Sequence, residues 1–133
     1  MCKNQWSYDI MNIREHWDER GTLLPIEFDD LPFVPKRLFY VSNIPNGTVR
    51  GGHAHKQCRQ FFVCLGGEID VNLDDGTKYK KVTLHPNQAI EIPTMVWSTQ
   101  EFYKNGIAMV LSSEKYDEKD YVRDYQTFLE IVK

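Results

Sequence analysis

Two histidines near the middle of the chain, His53 and His55, are the residues whose type and spacing most directly suggest chemistry. They lie in the segment R-G-G-H-A-H-K at residues 50–56, and side chains two residues apart in a β-strand point to the same face. Two imidazoles on one face can bind a metal, share proton-transfer work or hydrogen-bond to structural neighbours. Taken alone, the pair leaves all three roles open.

The residues that follow the histidines narrow the choice. After His55 come four residues, then Gln60, then six more, then Gly67. This spacing resembles the first cupin motif, in which H-x-H is followed by a glutamate and then by a glycine. The second cupin motif, P-x-G-x-x-H, has a counterpart in P-T-M-V-W-S at residues 93–98. The resemblance implies a cupin barrel.

The same comparison argues against a metal. In a metal-binding cupin the four ligands would fall on His53, His55, Gln60 and Ser98. A neutral amide oxygen and a serine hydroxyl are poor ligands for a divalent transition metal, and a tight site usually needs at least three good protein ligands. We therefore expect no metal and no other cofactor, which leaves two neutral imidazoles suited to proton transfer near pH 7.

The segments of the chain that would position these side chains have the sequence pattern of β-strands. Residues 68–73, E-I-D-V-N-L, alternate polar and apolar side chains, as a half-buried strand should, and D-D-G at 74–76 is typical of a hairpin turn. Asn105 and Gly106 indicate another turn between two strands. Trp6, Tyr8 and Ile10 alternate in a short N-terminal strand signal that would suit exchange across a dimer.

Only near the C-terminus does the spacing of apolar residues change from the strand pattern to a helical one. Apolar side chains fall at helical spacing between Tyr121 and Val132, and Asp117 is a candidate N-cap. We interpret the acidic residues from Glu114 to Asp124 as a solvated helix face. The sequence thus predicts one domain over residues 1–133: an all-β cupin double-stranded β-helix, or jelly-roll barrel, with a short C-terminal helix at about 117–132.

The composition of the chain limits the kinds of partner that it is expected to bind. The formal net charge of −3 at pH 7 argues against a non-specific nucleic-acid binder, so an anionic ligand would have to be met by a few placed arginines. The three cysteines follow no metal or redox spacing, and no stretch is long and apolar enough for a membrane span or a signal core. We therefore expect a cytoplasmic protein with no membrane partner.

Further segments resemble one enzyme family. They are D-E-R-G at 18–21, K-R-L-F-Y at 36–40, R-G-G-H-A-H-K at 50–56, V-W at 96–97 and Y-D-E-K-D-Y at 116–121. Together they are similar to the dTDP-4-keto-6-deoxyglucose 3,4-ketoisomerases, the FdtA-type or WxcM-like sugar isomerases, from about Ile13 to the C-terminus. The resemblance implies a homodimeric cupin that moves a ketone from C4 to C3 of a dTDP-linked 6-deoxyhexose. The product would then feed an aminotransferase that makes 3-amino sugars for surface polysaccharides or glycoproteins.

The resemblance and the chemistry together indicate site residues. His53 is expected to be the main base and His55 its partner or the acid that reprotonates. Tyr40 is a third candidate catalytic residue, which would hydrogen-bond a sugar oxygen or relay a proton, unless it packs in the core. Trp97 either stacks on thymine or fills the core. Ser98 stands where the family usually has a histidine, which bears on the product's stereochemistry or the substrate. The residues predicted to bind substrate are Arg37, Arg50 and Arg59 for the diphosphate, with Gln60, Trp97 and Ser98 for the rest of the ligand.

Three other functions stay open at this point. The first is a cupin 3,5-epimerase of nucleotide sugars, which also uses a barrel histidine but leaves the ketone at C4. The second is a non-catalytic sugar-nucleotide-binding cupin, which Ser98 keeps open. The third is a metal-dependent oxygenase, which Gln60 and Ser98 disfavour.

Overall fold

The computed structural model describes residues 9–133, and nearly all of its regular secondary structure is β-strand. The predicted strand signal at Trp6 and Tyr8 therefore lies outside the described residues. The strands are Met11–Asn12 (β1), His16–Asp18 (β2), Gly21–Leu23 (β3), Arg37–Val41 (β4), Thr48–His55 (β5), Gln60–Asp74 (β6), Tyr79–Leu84 (β7), Gln88–Ile92 (β8), Trp97–Ser112 (β9) and Tyr121–Val122 (β10), and the helix is Tyr125–Val132 (α1).

Two long strands, β6 and β9, pair along their whole length and bend together. The first half of β6 and the last half of β9 pair in one sheet, ordered β1-β8-β6-β9-β4. The last half of β6 and the first half of β9 pair in a facing sheet, ordered β7-β6-β9-β5-β10. All pairings are antiparallel. Two antiparallel sheets that share continuous bent strands form a jelly-roll barrel, as the sequence predicts.

Glycines make the bend possible. Gly67 has φ +68°, and a Cβ there would lie 2.6 Å from the backbone of Lys104 and Gly106 on β9. Register shifts in β6 at Gly66 accompany the bend, as expected where bulges turn a barrel corner. The predicted turn at Asn105 is therefore a bulge with positive φ inside one 16-residue strand, and not the end of a strand.

The barrel interior is the apolar core. Ile69, Val71 and Leu73 are fully buried, which confirms the alternation seen in the sequence. They face side chains of β8 and β9, such as Ile90 and Phe102. A second apolar cluster, around Phe61 and Leu111, lies on the outer face of the first sheet, under the segment from Ile13 to Phe33.

The tail differs from its prediction in one respect. Asp117 caps a single 3-10 turn at Glu118–Asp120, Tyr121–Val122 then pairs with β5, and α1 begins only at Tyr125 with Asp124 as its N-cap. The predicted helix start at about 117 is wrong because Tyr121 and Val122, the first apolar residues of the helical pattern, form a short strand that pairs with β5. No helix within residues 9–133 has the length and apolar character needed to cross a membrane.

Candidate active site

A bulge in β5 places the histidine pair. The register of β5 against β9 shifts between Gly51 and His53, and Gly51 and Gly52 have φ of +84° and +82°. A Cβ on Gly51 would lie 2.7 Å from the amide oxygen of Gln100 and 2.9 Å from the carbonyl oxygen of Ser98, so only glycine fits there. Gly51 thus lets β5 approach β9 closely, and Gly52 supplies a second positive φ just before His53.

His53 and His55 point to the same side of β5, as their spacing predicts. Their ring centroids are 5.0 Å apart and the ring planes meet at 87°. Tyr121, on the neighbouring strand β10, contacts both rings, with centroid distances of 4.9 Å to His53 and 4.3 Å to His55. The three rings form one cluster on the barrel wall.

His53 faces a cavity and is kept neutral. Burial lowers the pKa of His53 to about 4, and the nearby His55 and Arg123 add to the effect. Within residues 9–133, its Nδ1 is buried without a hydrogen-bond partner. At pH 7 this side chain is therefore an uncharged imidazole with an unused nitrogen.

His55 lies deeper and has a carboxylate partner. Its Nδ1 is 3.0 Å from Oδ2 of Asp120, and its Nε2 is buried with no partner among the described residues. Burial lowers the pKa of His55, while the Asp120 carboxylate opposes that shift. The balance favours a neutral ring whose orientation is set by Asp120.

The cavity in front of His53 has a volume of about 710 Å³, within the range of small-molecule sites. Arg37, Arg50 and Arg123 line it. The Arg37 guanidinium lies over the rings of Phe39 and Tyr116, at 4.7 and 5.2 Å from their centroids. Three guanidinium groups around one cavity suit a polyanionic ligand such as a diphosphate.

Arg123 is also part of the wall behind the histidines. Its guanidinium lies 4.1 Å from the centroid of Tyr121 and pairs with Glu118 at 2.7 Å. Hydrogen bonds from Arg123 and Tyr116 lower the pKa of Glu118 to about 2, so this carboxylate stays charged. The pair holds Arg123 at the edge of the cavity next to His53.

Gln60 and Ser98 point into the barrel, as predicted. Gln60 is 8% exposed and lines the cavity together with His53. Ser98 is 3% exposed, and its Oγ accepts a hydrogen bond of 3.0 Å from Nε2 of Gln100. Gln100 in turn lines the narrow inner end of the cavity.

Two residues predicted to bind substrate lie elsewhere. Arg59 is on the outer face of the first sheet, where it pairs with Glu91 at 2.7 Å and donates to the carbonyl oxygen of Pro32 at 3.1 Å. Trp97 packs under the helix, with its ring centroid 5.3 Å from that of Tyr125 and 5.8 Å from that of Phe128. Strand alternation explains both, because their neighbours Gln60 and Ser98 take the inward positions.

Tyr40 borders the mouth of the cavity but is not part of the histidine cluster. It is 67% exposed, while its neighbours on β4, Phe39 and Val41, turn inward. Among the described residues, its ring contacts neither histidine. The tyrosine that does contact them is Tyr121.

Sequence reasoning missed Asp120, Tyr121 and Arg123 as site residues. All three belong to the acidic tail segment interpreted as a solvated helix face. The usable signal was Tyr121–Val122, where an aromatic and a β-branched residue follow one another in the pattern of a short strand. In the structure, Tyr121 pairs with His55, and this pairing brings the segment to the site.

One group of side chains in the described region could hold a metal ion. His55, Cys58 and Asp120 place possible ligand atoms within 4.8 Å of one another. The Asp120 oxygens, however, already accept from the backbone amides of Gln57 and Cys58, at 2.6 and 3.2 Å, and contact Nδ1 of His55. Hydrogen bonding accounts for this arrangement, and metal-free chemistry remains a prediction.

The sequence of this chain matches one family model and one curated relative over most of its length. The family model FdtA, described as "WxcM-like, C-terminal", matches residues 6–133. A TDP-4-oxo-6-deoxy-alpha-D-glucose-3,4-oxoisomerase from Aneurinibacillus thermoaerophilus is 38% identical over 122 residues, which cover 90% of this chain and 88% of that protein.

Solved structures agree with the sequence comparison. QdtA from Thermoanaerobacterium thermosaccharolyticum, a sugar 3,4-ketoisomerase solved in complex with TDP, is similar with a TM-score of 0.87 and 31% identity, and the match covers 93% of each chain. The RmlC epimerase of Mycobacterium tuberculosis matches with a TM-score of 0.76 and 14% identity, over 90% of this chain and 71% of that one. At that identity the epimerase shows only that the fold is shared.

Proposed function

This chain belongs to the FdtA family of WxcM-like proteins, and we propose that it is a 3,4-ketoisomerase of a dTDP-linked 4-keto-6-deoxyhexose. The observation that carries the proposal is a pair of neutral imidazoles, 5.0 Å apart, of which His53 lines a cavity together with three arginines. The relatives named as 3,4-isomerases of TDP-sugars support the choice of reaction and ligand.

The reaction needs only proton transfers. A base removes the proton on C3, the electrons move to O4 through an enediolate, and a proton is returned to C4. The hydroxyl proton of O3 is lost as O4 gains one, so that the ketone moves from C4 to C3 with no net change in oxidation state of the sugar. A base, an acid and a stabiliser for the oxyanion are sufficient, and no redox cofactor is required.

His53 and His55 supply these groups. His53 faces the cavity and is the base that meets the sugar, while His55 is the partner through which the proton is held and returned. Both are neutral at pH 7 because burial lowers the pKa of each. Tyr121 lies against both rings and closes this wall of the site.

The remaining cavity residues bind the ligand. Arg37 and Arg50 contact the diphosphate, and Arg123, a guanidinium that the sequence did not indicate, lies beside them. Gln60 hydrogen-bonds a sugar hydroxyl from inside the barrel. Ser98 leaves room where the family usually has a histidine, so the face on which C4 receives its proton depends on the space that Ser98 and Gln100 leave.

We further propose that the enzyme acts in the cytoplasm as a homodimer. Cys58 and Cys64 are buried unpaired thiols, which suits a reducing compartment. Leu38 and Tyr40 on β4 and Val49 on β5 are more than half exposed, and a second subunit would cover such apolar side chains. The 3-keto product is a substrate for an aminotransferase that installs a 3-amino group.

A turnover assay tests the proposed function. The protein is incubated with dTDP-4-keto-6-deoxyglucose and the product is examined by proton NMR. A ketone at C3 with the configuration at C5 retained supports the ketoisomerase. A ketone still at C4 with inversion at C3 and C5 supports the 3,5-epimerase, whereas dTDP binding without turnover supports a non-catalytic binding protein.

A further inference from the structure

The C-terminal segment brings a fixed carboxylate to the inner histidine. The turn Glu118–Asp120 and strand β10 follow β9, and β10 pairs with β5 so that Tyr121 lies opposite His55. The Asp120 carboxylate and the His55 imidazole are 10% and 7% exposed. A carboxylate buried to this extent needs hydrogen bonds to stay charged.

Backbone amides hold this carboxylate in place. Oδ1 of Asp120 accepts from the amide of Gln57 at 2.6 Å, and Oδ2 accepts from the amide of Cys58 at 3.2 Å. The amide of Lys56 also donates to the Asp120 carbonyl oxygen at 3.0 Å. The carboxylate is thus tied to the chain that immediately follows His55, and its second oxygen faces Nδ1 of His55 at 3.0 Å.

This contact decides which nitrogen of a neutral His55 carries the proton. A carboxylate accepts hydrogen bonds and cannot donate one, so Nδ1 must be the N–H. Nε2 then has a free lone pair. That atom is buried, has no partner in residues 9–133, and belongs to a ring that contacts His53 and Tyr121.

We propose that Asp120 is a positioning residue that holds His55 in the Nδ1–H form, so that Nε2 of His55, the partner of the base His53, stays free to accept and return a proton during the isomerisation. The proposal rests on the proposed function and adds a role for a residue outside the cavity lining. It gives the tail segment Glu118–Val122 a part in catalysis through His55.

The other groups around His55 are compatible with this role. Arg37 on β4 and Arg123 beyond β10 are cationic and oppose protonation of the ring, and His53 is a second imidazole on the same strand. Tyr121 contributes a ring contact from β10. Against these groups Asp120 supplies the negative charge that compensates the ring when it takes up a proton.

The variant Asp120→Asn separates tautomer control from packing. The Asn side chain has the same shape, and its oxygen is kept toward the Gln57 amide by the short contact there. Its amide group then takes the place of Oδ2, so the 3.2 Å hydrogen bond from the Cys58 amide is lost and the amide faces Nδ1 of His55. Donation to Nδ1 forces the proton onto Nε2 and removes the acceptor. Asp117→Asn is the matched control, because Asp117 caps the same 3-10 turn by accepting from the Lys119 amide and contacts neither histidine.

The experiment combines kinetics with nitrogen-15 NMR of histidine-labelled protein at pH 7. We expect wild type and Asp117→Asn to show His55 protonated on Nδ1, and Asp120→Asn to show it protonated on Nε2. We expect kcat of Asp120→Asn to fall by about 10²- to 10⁴-fold with little change in KM, and Asp120→Glu to recover part of the loss.

The role of Asp120 would be overturned by a wild-type spectrum with the proton on Nε2 of His55, or by an Asp120→Asn variant with wild-type kcat. Stoichiometric metal bound by His55, Cys58 and Asp120 in the purified protein would also overturn it. If Asp120→Asn does not fold, the wild-type spectrum alone still decides the tautomer. Wild-type protein without turnover would contradict the proposed function instead, and the spectra would still report on Asp120.

Discussion

The rings of His53 and His55 meet edge to face, 5.0 Å apart, on a strand that a two-glycine bulge forces against its neighbour. Burial lowers the pKa of both rings and keeps them neutral, and the nearby His55 lowers the pKa of His53 further. A pair of this kind can accept one proton and return it. The account of function rests on this relationship.

Replacing either histidine with asparagine should abolish most of the activity. Asparagine keeps a polar side chain of similar size but has no basic nitrogen, so we expect kcat to fall by about 10²- to 10⁴-fold in His53→Asn and in His55→Asn. Binding of dTDP, measured by calorimetry, should change little, since the arginines are untouched. Wild-type kcat in either variant would contradict the assignment of proton transfer to this pair.

Arginines on the two faces of the barrel should behave differently. Arg37 and Arg50 line the cavity, whereas Arg59 is engaged with Glu91 outside it. Each charge-assisted contact to the diphosphate contributes about 1.5–3 kcal/mol, so Arg37→Ala and Arg50→Ala should weaken dTDP binding by about 10- to 100-fold. Arg59→Ala is the control and should leave the dissociation constant unchanged. If all three variants had the same dissociation constant for dTDP, the diphosphate would have to lie outside this cavity.

The stability of the protein should depend on pH through His53. Its pKa is about 4 in the folded protein and about 6.5 when unfolded. Between these values the unfolded chain binds more protons, so the free energy of unfolding decreases as pH falls from about 6.5 toward 4 and receives no such contribution above that range. From pH 7 to pH 5, wild type should lose about 2 kcal/mol more than His53→Asn in urea denaturation. Parallel losses in the two proteins would show that His53 titrates normally.

Two neighbouring glycines provide a test of the bulge. Gly51 and Gly52 both have positive φ, so alanine at either position costs about 1–2 kcal/mol of backbone strain. A Cβ on Gly51 also clashes with the carbonyl oxygen of Ser98, whereas a Cβ on Gly52 meets nothing within 4 Å. Gly51→Ala should therefore be less stable than Gly52→Ala by about 1–3 kcal/mol in urea denaturation. Equal losses would mean that β5 and β9 are less closely packed here than the structure shows.

Much of the fold could be predicted from local pattern. The alternation at residues 68–73 identifies which side chains enter the core, and Ile69, Val71 and Leu73 are indeed fully buried. The spacing of His53 and His55 predicts that they share a face, and the structure confirms this. These features depend on residues close in sequence, where strand geometry alone sets the direction of the side chains.

The parts that could not be predicted depend on distant residues. Asp120 and His55 are 65 residues apart, and nothing in the spacing of either indicates that they meet. The positions of Arg59 and Trp97 are fixed by contacts with Glu91 and with Phe128, which lie far along the chain from each of them. The helical periodicity of the tail hid Tyr121–Val122, whose pairing with β5 overrides its helical spacing.

Deuterium labelling tests the central claim most directly. The protein is incubated with dTDP-4-keto-6-deoxyglucose in deuterated water, and proton NMR locates the ketone and the label, with His53→Asn treated in parallel. The account predicts a ketone at C3, deuterium at C4 of the product or C3 of recovered substrate, and neither change with the variant. A ketone that stays at C4 with deuterium at C5, or wild-type labelling by His53→Asn, would contradict it.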